Sequence, residues 1–179
     1  SSSLDLTNVS MGLWEAYGAP GLRKGIWSAA YKTINHINNI LGYIERNGDD
    51  QFQYSKLYKG EALALRAMLH FDMMRLYGPP AWADAQAKAK VIPYVTKYAF
   101  DITPFSSYED VYKYIIADLE EAEKCLAADA TLLPAVRTNA AAGFTSCRII
   151  HMDLYAVQAL LARVYWYEGD LAKASEYAY

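Results

Sequence analysis

Apolar residues recur at threes and fours between Leu22 and Arg46, with Ile26, Trp27, Ala30, Ile34, Ile37, Leu41 and Ile44 on one stripe. That spacing predicts a helix over about 22–46. Asn47-Gly48-Asp49-Asp50 then supplies turn residues that end it. A second helix is predicted over about 52–77, and its pattern is different. Leu65, Met68, Leu69, Phe71, Met73 and Leu76 place bulk around much of its girth, so it is covered on more than one side. Ala62, Ala64 and Ala67 lower its surface and let another helix approach closely. Gly78 fits a C-terminal cap, and Pro79-Pro80 forbids continuation.

Residues 79–106 read as a long connection carrying Trp82, Tyr94, Tyr98 and Phe100, punctuated by Pro93 and Pro104. Connections of that length in a compact domain tend to be functional or disordered, and these aromatics argue against disorder. A third helix, about 107–127, opens at Ser106 or Ser107 with Glu109 or Asp110 completing a capping box. Val111, Ile115, Leu119, Ala122 and Leu126 mark its buried stripe. Pro134, Asn139, Gly143 and many small residues make 129–150 a second connection. A fourth helix follows over about 152–167, and another begins near 170 after Glu168-Gly169-Asp170. Trp27 and Trp166 fall on helical stripes and read as core. The expected fold is all-α, one helical domain over 1–179. The final helix ends without a capping signal, whereas a terminal helical repeat needs a polar outer face. The chain is therefore expected to be a fragment of something longer.

Leu161-Ala162-x-x-Tyr165, followed by Gly169, Leu171 and Ala174, matches much of the tetratricopeptide pattern. That pattern describes a helical hairpin and carries no chemistry of its own.

Composition narrows the function. Sixteen tyrosines against five phenylalanines favour helix interfaces and wet surfaces, because tyrosine buries a ring while its hydroxyl finds a partner. The net charge of −3 is interspersed, so no basic stripe points to nucleic acid or an anionic membrane. No apolar run reaches the length of a membrane-spanning helix. Cys125 and Cys147 form no Cys-x-x-Cys pair, and with only three histidines a zinc site is not expected. Phosphate loops, His-Glu-x-x-His helices and nucleophile elbows are missing from the sequence, so nothing in it supports catalysis or a cofactor.

The order of segments is more specific than any one of them. Trp27-x3-Tyr31-x2-Ile34-Asn35-x2-Asn38-Asn39-Ile40 precedes Gly60-Glu61-Ala62, Leu65-Arg66-Ala67-x3-Phe71 and Leu76-Tyr77-Gly78. Ile92-Pro93-Tyr94 then leads to Ser107-Tyr108-Glu109-Asp110-Val111-Tyr112-x2-Ile115-x2-Asp118-Leu119-x2-Ala122 and the tetratricopeptide-like hairpin. Over about 22–179 this resembles the N-terminal part of the SusD/RagB family, surface lipoproteins of Bacteroidetes that capture nutrients. The resemblance implies an all-helical scaffold of tetratricopeptide-like pairs with large loop insertions. It implies an outer-membrane, surface-exposed lipoprotein that binds an oligosaccharide or polysaccharide, or in some members peptides, without catalysis. It also implies a partner, a SusC-like TonB-dependent transporter that receives the ligand. The family's signal peptide, lipidated cysteine and C-terminal half are not in this sequence. The runner-up reading is an intracellular tetratricopeptide scaffold that grips proteins, against which the long 79–106 connection counts.

Trp82, Tyr94 and Tyr98 are the candidate ligand residues, because flat aromatic rings stack on the apolar faces of sugars and connections often carry sites. The alternative is that they pin the connection to the helices. Arg66 sits among apolar neighbours and needs a carboxylate, Asp118 or Glu61, if it is buried. Asn35, Asn38 and Asn39 are expected to hydrogen-bond across helices or into loop backbone. Asp118, Glu120, Glu121 and Glu123 read as a solvated acidic face with Asp118 the inward exception.

Overall fold

The computed structural model describes residues 7, 10, 19–48, 52–78, 88–99, 101–137, 148 and 150–178. In chain order they form α1 (Ala19–Asn47), α2 (Ser55–Tyr77), β1 (Lys90–Ile92), β2 (Ser106–Ser107), α3 (Tyr108–Cys125), α4 (Asp129–Arg137), α5 (Leu154–Glu168) and α6 (Leu171–Tyr177). The fold is all-α but for one small antiparallel pairing of β1 with β2. α2 lies between α1 and α3, as its broad apolar girth requires, and α5 packs on α3 and forms a hairpin with α6.

The packing follows from small residues at the contact. Ala64 and Ala67 are fully buried. A side chain at Gly60 would place its Cβ 2.6 Å from Leu126 Cγ and 3.0 Å from Cys125 Cβ, so the α2–α3 crossing is closed by a missing methyl group. Phe71, Met73, Met74, Val111, Ile115, Leu119, Val157, Leu161 and Val164 fill the core that these helices share.

Helix ends follow the local chemistry. Ser107 caps α3 by accepting a hydrogen bond from the Asp110 backbone N–H at 3.1 Å. Asp153 caps α5 in the same way through Ala156 N–H at 2.8 Å. Gly169 ends α5 in the left-handed region at φ 93, where glycine avoids a Cβ clash, and the chain turns there into α6. Gly78 is different: its backbone is extended, and a Cβ would lie 2.4 Å from the Met74 carbonyl oxygen. Close approach, not a positive φ, selects glycine there.

Three expectations need correction. Residues 129–137 are helical where a connection was expected. Successive turns through Asp129, Ala130 and Thr131 N–H to the carbonyls of Leu126, Ala127 and Ala128 lead the chain into α4. Leu133 is buried and Asp129 is held by Arg148, and these tertiary anchors outweigh the hydrogen bond that Pro134 cannot make. Trp166 is 66% exposed, not core. α5 is apolar around most of its girth, and periodicity does not say which side is covered. Ile26 and Leu76 are also exposed for that reason.

Gly60→Val should destabilise the fold by about 1–3 kcal/mol, because it overpacks the α2–α3 crossing. Urea denaturation of the two proteins checks this, and equal midpoints would show that the crossing has room to spare.

Candidate functional site

One buried polar network fixes the second half of the long connection. On α1, Tyr31 and Asn38 are seven residues apart and share a face; on α2, Arg66 and His70 are four apart and share another. Arg66 makes a bidentate contact with Asp118 of α3, Nε to Oδ2 and Nη2 to Oδ1, both 2.7 Å. Its remaining nitrogen, Nη1, donates to Asn38 Oδ1 at 2.9 Å and to the Thr96 carbonyl at 3.3 Å. Asn38 Nδ2 donates to the Val95 carbonyl at 2.9 Å, and the Tyr31 hydroxyl donates to the Pro93 carbonyl at 2.9 Å. Three helices thus hold backbone that lacks a regular ladder of its own.

His70 completes the grip through its protonation state. Nδ1 lies 2.9 Å from the Arg66 carbonyl, and the Val95 N–H donates to Nε2 at 3.1 Å. A neutral ring with its proton on Nδ1 satisfies both contacts. Burial, reinforced by the Arg66 charge, pushes the imidazole down to about 3, so the neutral form is the one present. The Tyr94 ring stacks on His70 at a centroid distance of 3.9 Å, and its hydroxyl donates to Asp118 Oδ2 at 2.6 Å. Burial and the neighbouring Asp118 charge hold that phenol well above its usual value, so it remains a donor. For Arg66, burial works against the charge, but the Asp118 hydrogen bonds and charge outweigh it and its pKa is raised.

Beside this network lies a depression of about 960 Å³ between α1, α2 and the connection. Asn38, Leu41, Gly42 and Glu45 line it from one face of α1, with Arg46 beside them. Lys59, Leu63 and Arg66 line it from one face of α2 at spacings of four and three, and Thr96, Lys97 and Tyr98 form the third wall. Its floor is the fixed network; its rim is charged and solvated, with the Tyr98 ring 51% exposed. A half-exposed ring next to groups that hydrogen-bond hydroxyls can hold a polar ligand with apolar faces.

The sequence-predicted residues divide accordingly. Tyr98 lines the groove. Tyr94 is corrected as a stacking platform: it is 5% exposed and its ring lies on His70, so it anchors the connection. Trp82 lies outside the described residues. Arg66 and Asp118 form the buried pair. Glu61 does not reach Arg66; it pairs with Arg148 Nη1, and His151 Nδ1 lies 3.3 Å from its other oxygen. Arg148 also makes a bidentate contact with Asp129, whose Oδ2 accepts from the Leu154 N–H at 3.2 Å. This second buried ionic cluster ties the start of α5 to α2 and α4. Of the three asparagines, Asn38 bonds into loop backbone, while Asn39 is exposed.

The groove residues Glu45, Arg46, Lys59 and Lys97 were not singled out from sequence. Their signal is weak, because exposed charges on a helix face look alike whether or not a groove lies beside them. Among the described residues no cluster of His, Cys, Asp and Glu is arranged to hold a metal ion, and no helix is long and apolar enough to cross a membrane.

These features meet those of a known family of helical binding proteins. A SusD-like family model, described as starch-binding and associating with the outer membrane, matches residues 2–150, and the chain belongs to that family. It is 28% identical over 102 residues to a SusD-like protein of Bacteroides ovatus, covering 55% of this chain and 17% of the relative. Among solved structures, a putative sugar binding protein from Bacteroides vulgatus is similar at 28% identity with a TM-score of 0.66, covering 86% of this chain and 31% of the other. A SusD-like carbohydrate binding protein from the same species has 27% identity and a TM-score of 0.65, covering 86% and 29%. The chain thus spans less than a third of each of these relatives.

Removing one partner of the buried pair leaves an uncompensated charge, so Arg66→Ala or Asp118→Ala should cost about 3–5 kcal/mol in urea denaturation. A loss under about 1 kcal/mol would mean that water replaces the missing partner.

A second prediction concerns pH. Burial holds the His70 imidazole down at about 3 in the folded chain against its ordinary 6.5, so the unfolded chain binds the extra proton between those values. Its contribution to stability is full above pH 6.5 and is lost as pH falls toward 3, by on the order of 1.4 kcal/mol per unit. The His70→Gln variant, starting less stable, should lose less on going from about pH 6.5 to about pH 4. Parallel stability curves for the two proteins would contradict a neutral, buried His70.

Proposed function

We propose that this chain is part of a non-catalytic glycan-binding protein at the outer-membrane surface, anchored as a lipoprotein, that passes its ligand to a SusC-like TonB-dependent transporter. Family membership supports the glycan and the outer membrane. The observation that carries the site is the groove beside the Arg66–Asp118 network, where a half-exposed Tyr98 faces polar side chains from α1 and α2. In this reading a sugar ring stacks its C–H face on Tyr98 while Glu45, Arg46 and Lys59 meet its hydroxyls. Trp82, on the same connection, is the second aromatic proposed to contribute. The buried network supplies preorganisation: residues 93–96 are already held, so binding there forfeits little conformational entropy. Among the described residues lining the groove, none pairs a general acid with a general base, and in this reading the bound glycan leaves unaltered.

Calorimetric titration of the full-length protein against a panel of oligosaccharides tests this. Tyr98→Ala should weaken binding by up to roughly tenfold, from the about 0.5–1.5 kcal/mol that a stacked aromatic contributes. Trp82→Ala should weaken it too. Unchanged affinity in Tyr98→Ala would remove the site from this groove, and release of shortened sugars would overturn the non-catalytic reading.

A further inference from the structure

The groove's charge is uneven. Among the described residues, Arg46, Lys59 and Lys97 line it against one carboxylate, Glu45, and the buried Arg66 is already matched by Asp118. Lys59 pairs with Glu121 of α3 at 4.0 Å. Among the described residues no ion pair involves Arg46 or Lys97. The whole chain carries a net charge of −3. Cations from two separate elements, α1 and the connection, therefore converge on one concave surface of an otherwise acidic chain. A concave wall lined by one sign of charge concentrates the opposite ion.

We propose that this groove selects an anionic oligosaccharide, one carrying carboxylate or sulfate groups, over a neutral one. The inference rests on the glycan-binding reading above and names the class of glycan. Tyr98 stacks on a sugar ring, and Arg46 and Lys97 receive the acidic substituents of that ring and its neighbour. Carboxylate and sulfate share the chemistry that matters here, a compact delocalised anion that accepts hydrogen bonds from guanidinium and ammonium groups.

Calorimetry on the full-length protein decides it, with maltohexaose as the neutral probe, hexagalacturonate as the carboxylate probe and a κ-carrageenan hexasaccharide as the sulfate probe. At least one anionic probe should bind more tightly than maltohexaose, by up to roughly fivefold for each exposed ion pair formed. Raising salt from about 0.1 M to about 1 M cuts the screening length from about 10 Å to about 3 Å and should erase that preference. The Arg46→Gln/Lys97→Gln double variant should lose the preference, binding the acidic probes no more tightly than maltohexaose. Which acidic probe responds identifies the substituent. Equal affinity for neutral and acidic probes would overturn the inference. A preference that survives in the double variant would overturn it too. Either result alongside a damaging Tyr98→Ala leaves the glycan site in place, whereas a Tyr98→Ala variant that binds every probe normally removes both.

Discussion

Arg66 is a full charge buried among the apolar residues Ala64, Ala67 and Phe71 of α2, and the surrounding structure is arranged to make its burial tolerable. A guanidinium has five donors in a fixed plane, and taking it out of water unpaired costs far more than a small fold can sustain. Asp118 takes two of those donors edge-on, and Asn38 and the Thr96 carbonyl take others. Satisfying one residue thus fixes α1, α2, α3 and the connection relative to one another. The pair contributes specificity of arrangement more than raw stability, since a buried ion pair is at best a modest net gain over well-packed apolar residues.

The functional surface follows from that constraint. Residues 93–96 run across the helices as irregular backbone, held by Tyr31, Asn38, Arg66 and His70. Because the holding groups lie underneath, the next residues, Lys97 and Tyr98, stand at the rim with their side chains exposed. An ordered loop on a rigid helical platform is a sound base for recognition: aromatic and charged groups are presented without being consumed by the fold. The stacked pair of Tyr94 and His70 shows the contrast within one segment. Tyr94 is buried against His70, whereas Tyr98, four residues later, is half-exposed at the groove.

Much of this was legible in the sequence because it rests on periodicity and local punctuation. The stripes of α1 and α3, the Ser107 cap, the turn at Gly169 and the tight α2–α3 contact each come from a few residues at fixed spacing. Arg66 was conspicuous as a charge among apolar neighbours, and that placement alone demands a partner. What escaped depends on tertiary context. Residues 129–137 look like a loop until Leu133 and the Arg148–Asp129 contact are seen to hold them. Tyr94 and Tyr98 are indistinguishable as residues, and only the position of His70 decides which ring is covered. Trp166 lies on a helix apolar on several sides, so its exposure could not be read from spacing. The β1–β2 pairing spans two or three residues per strand, too short to show an alternation. Glu45, Arg46, Lys59 and Lys97 gain meaning only when α1 and the connection are brought together around a concavity.

The central claim is that the connection is held as firmly as the helices beneath it, and the Val95 amide reports on this directly. Its N–H donates to a ring nitrogen of a fully buried histidine, so it can exchange with solvent only when the grip of α1 and α2 on the connection opens. Native-state hydrogen exchange on the full-length protein, followed residue by residue, should show Val95 opening with a free energy close to that of the buried α2 amides around Phe71. Exchange of Val95 at the rate of an unstructured peptide, with α2 still protected, would contradict the account. The groove's third wall would then be a mobile loop, not part of the scaffold.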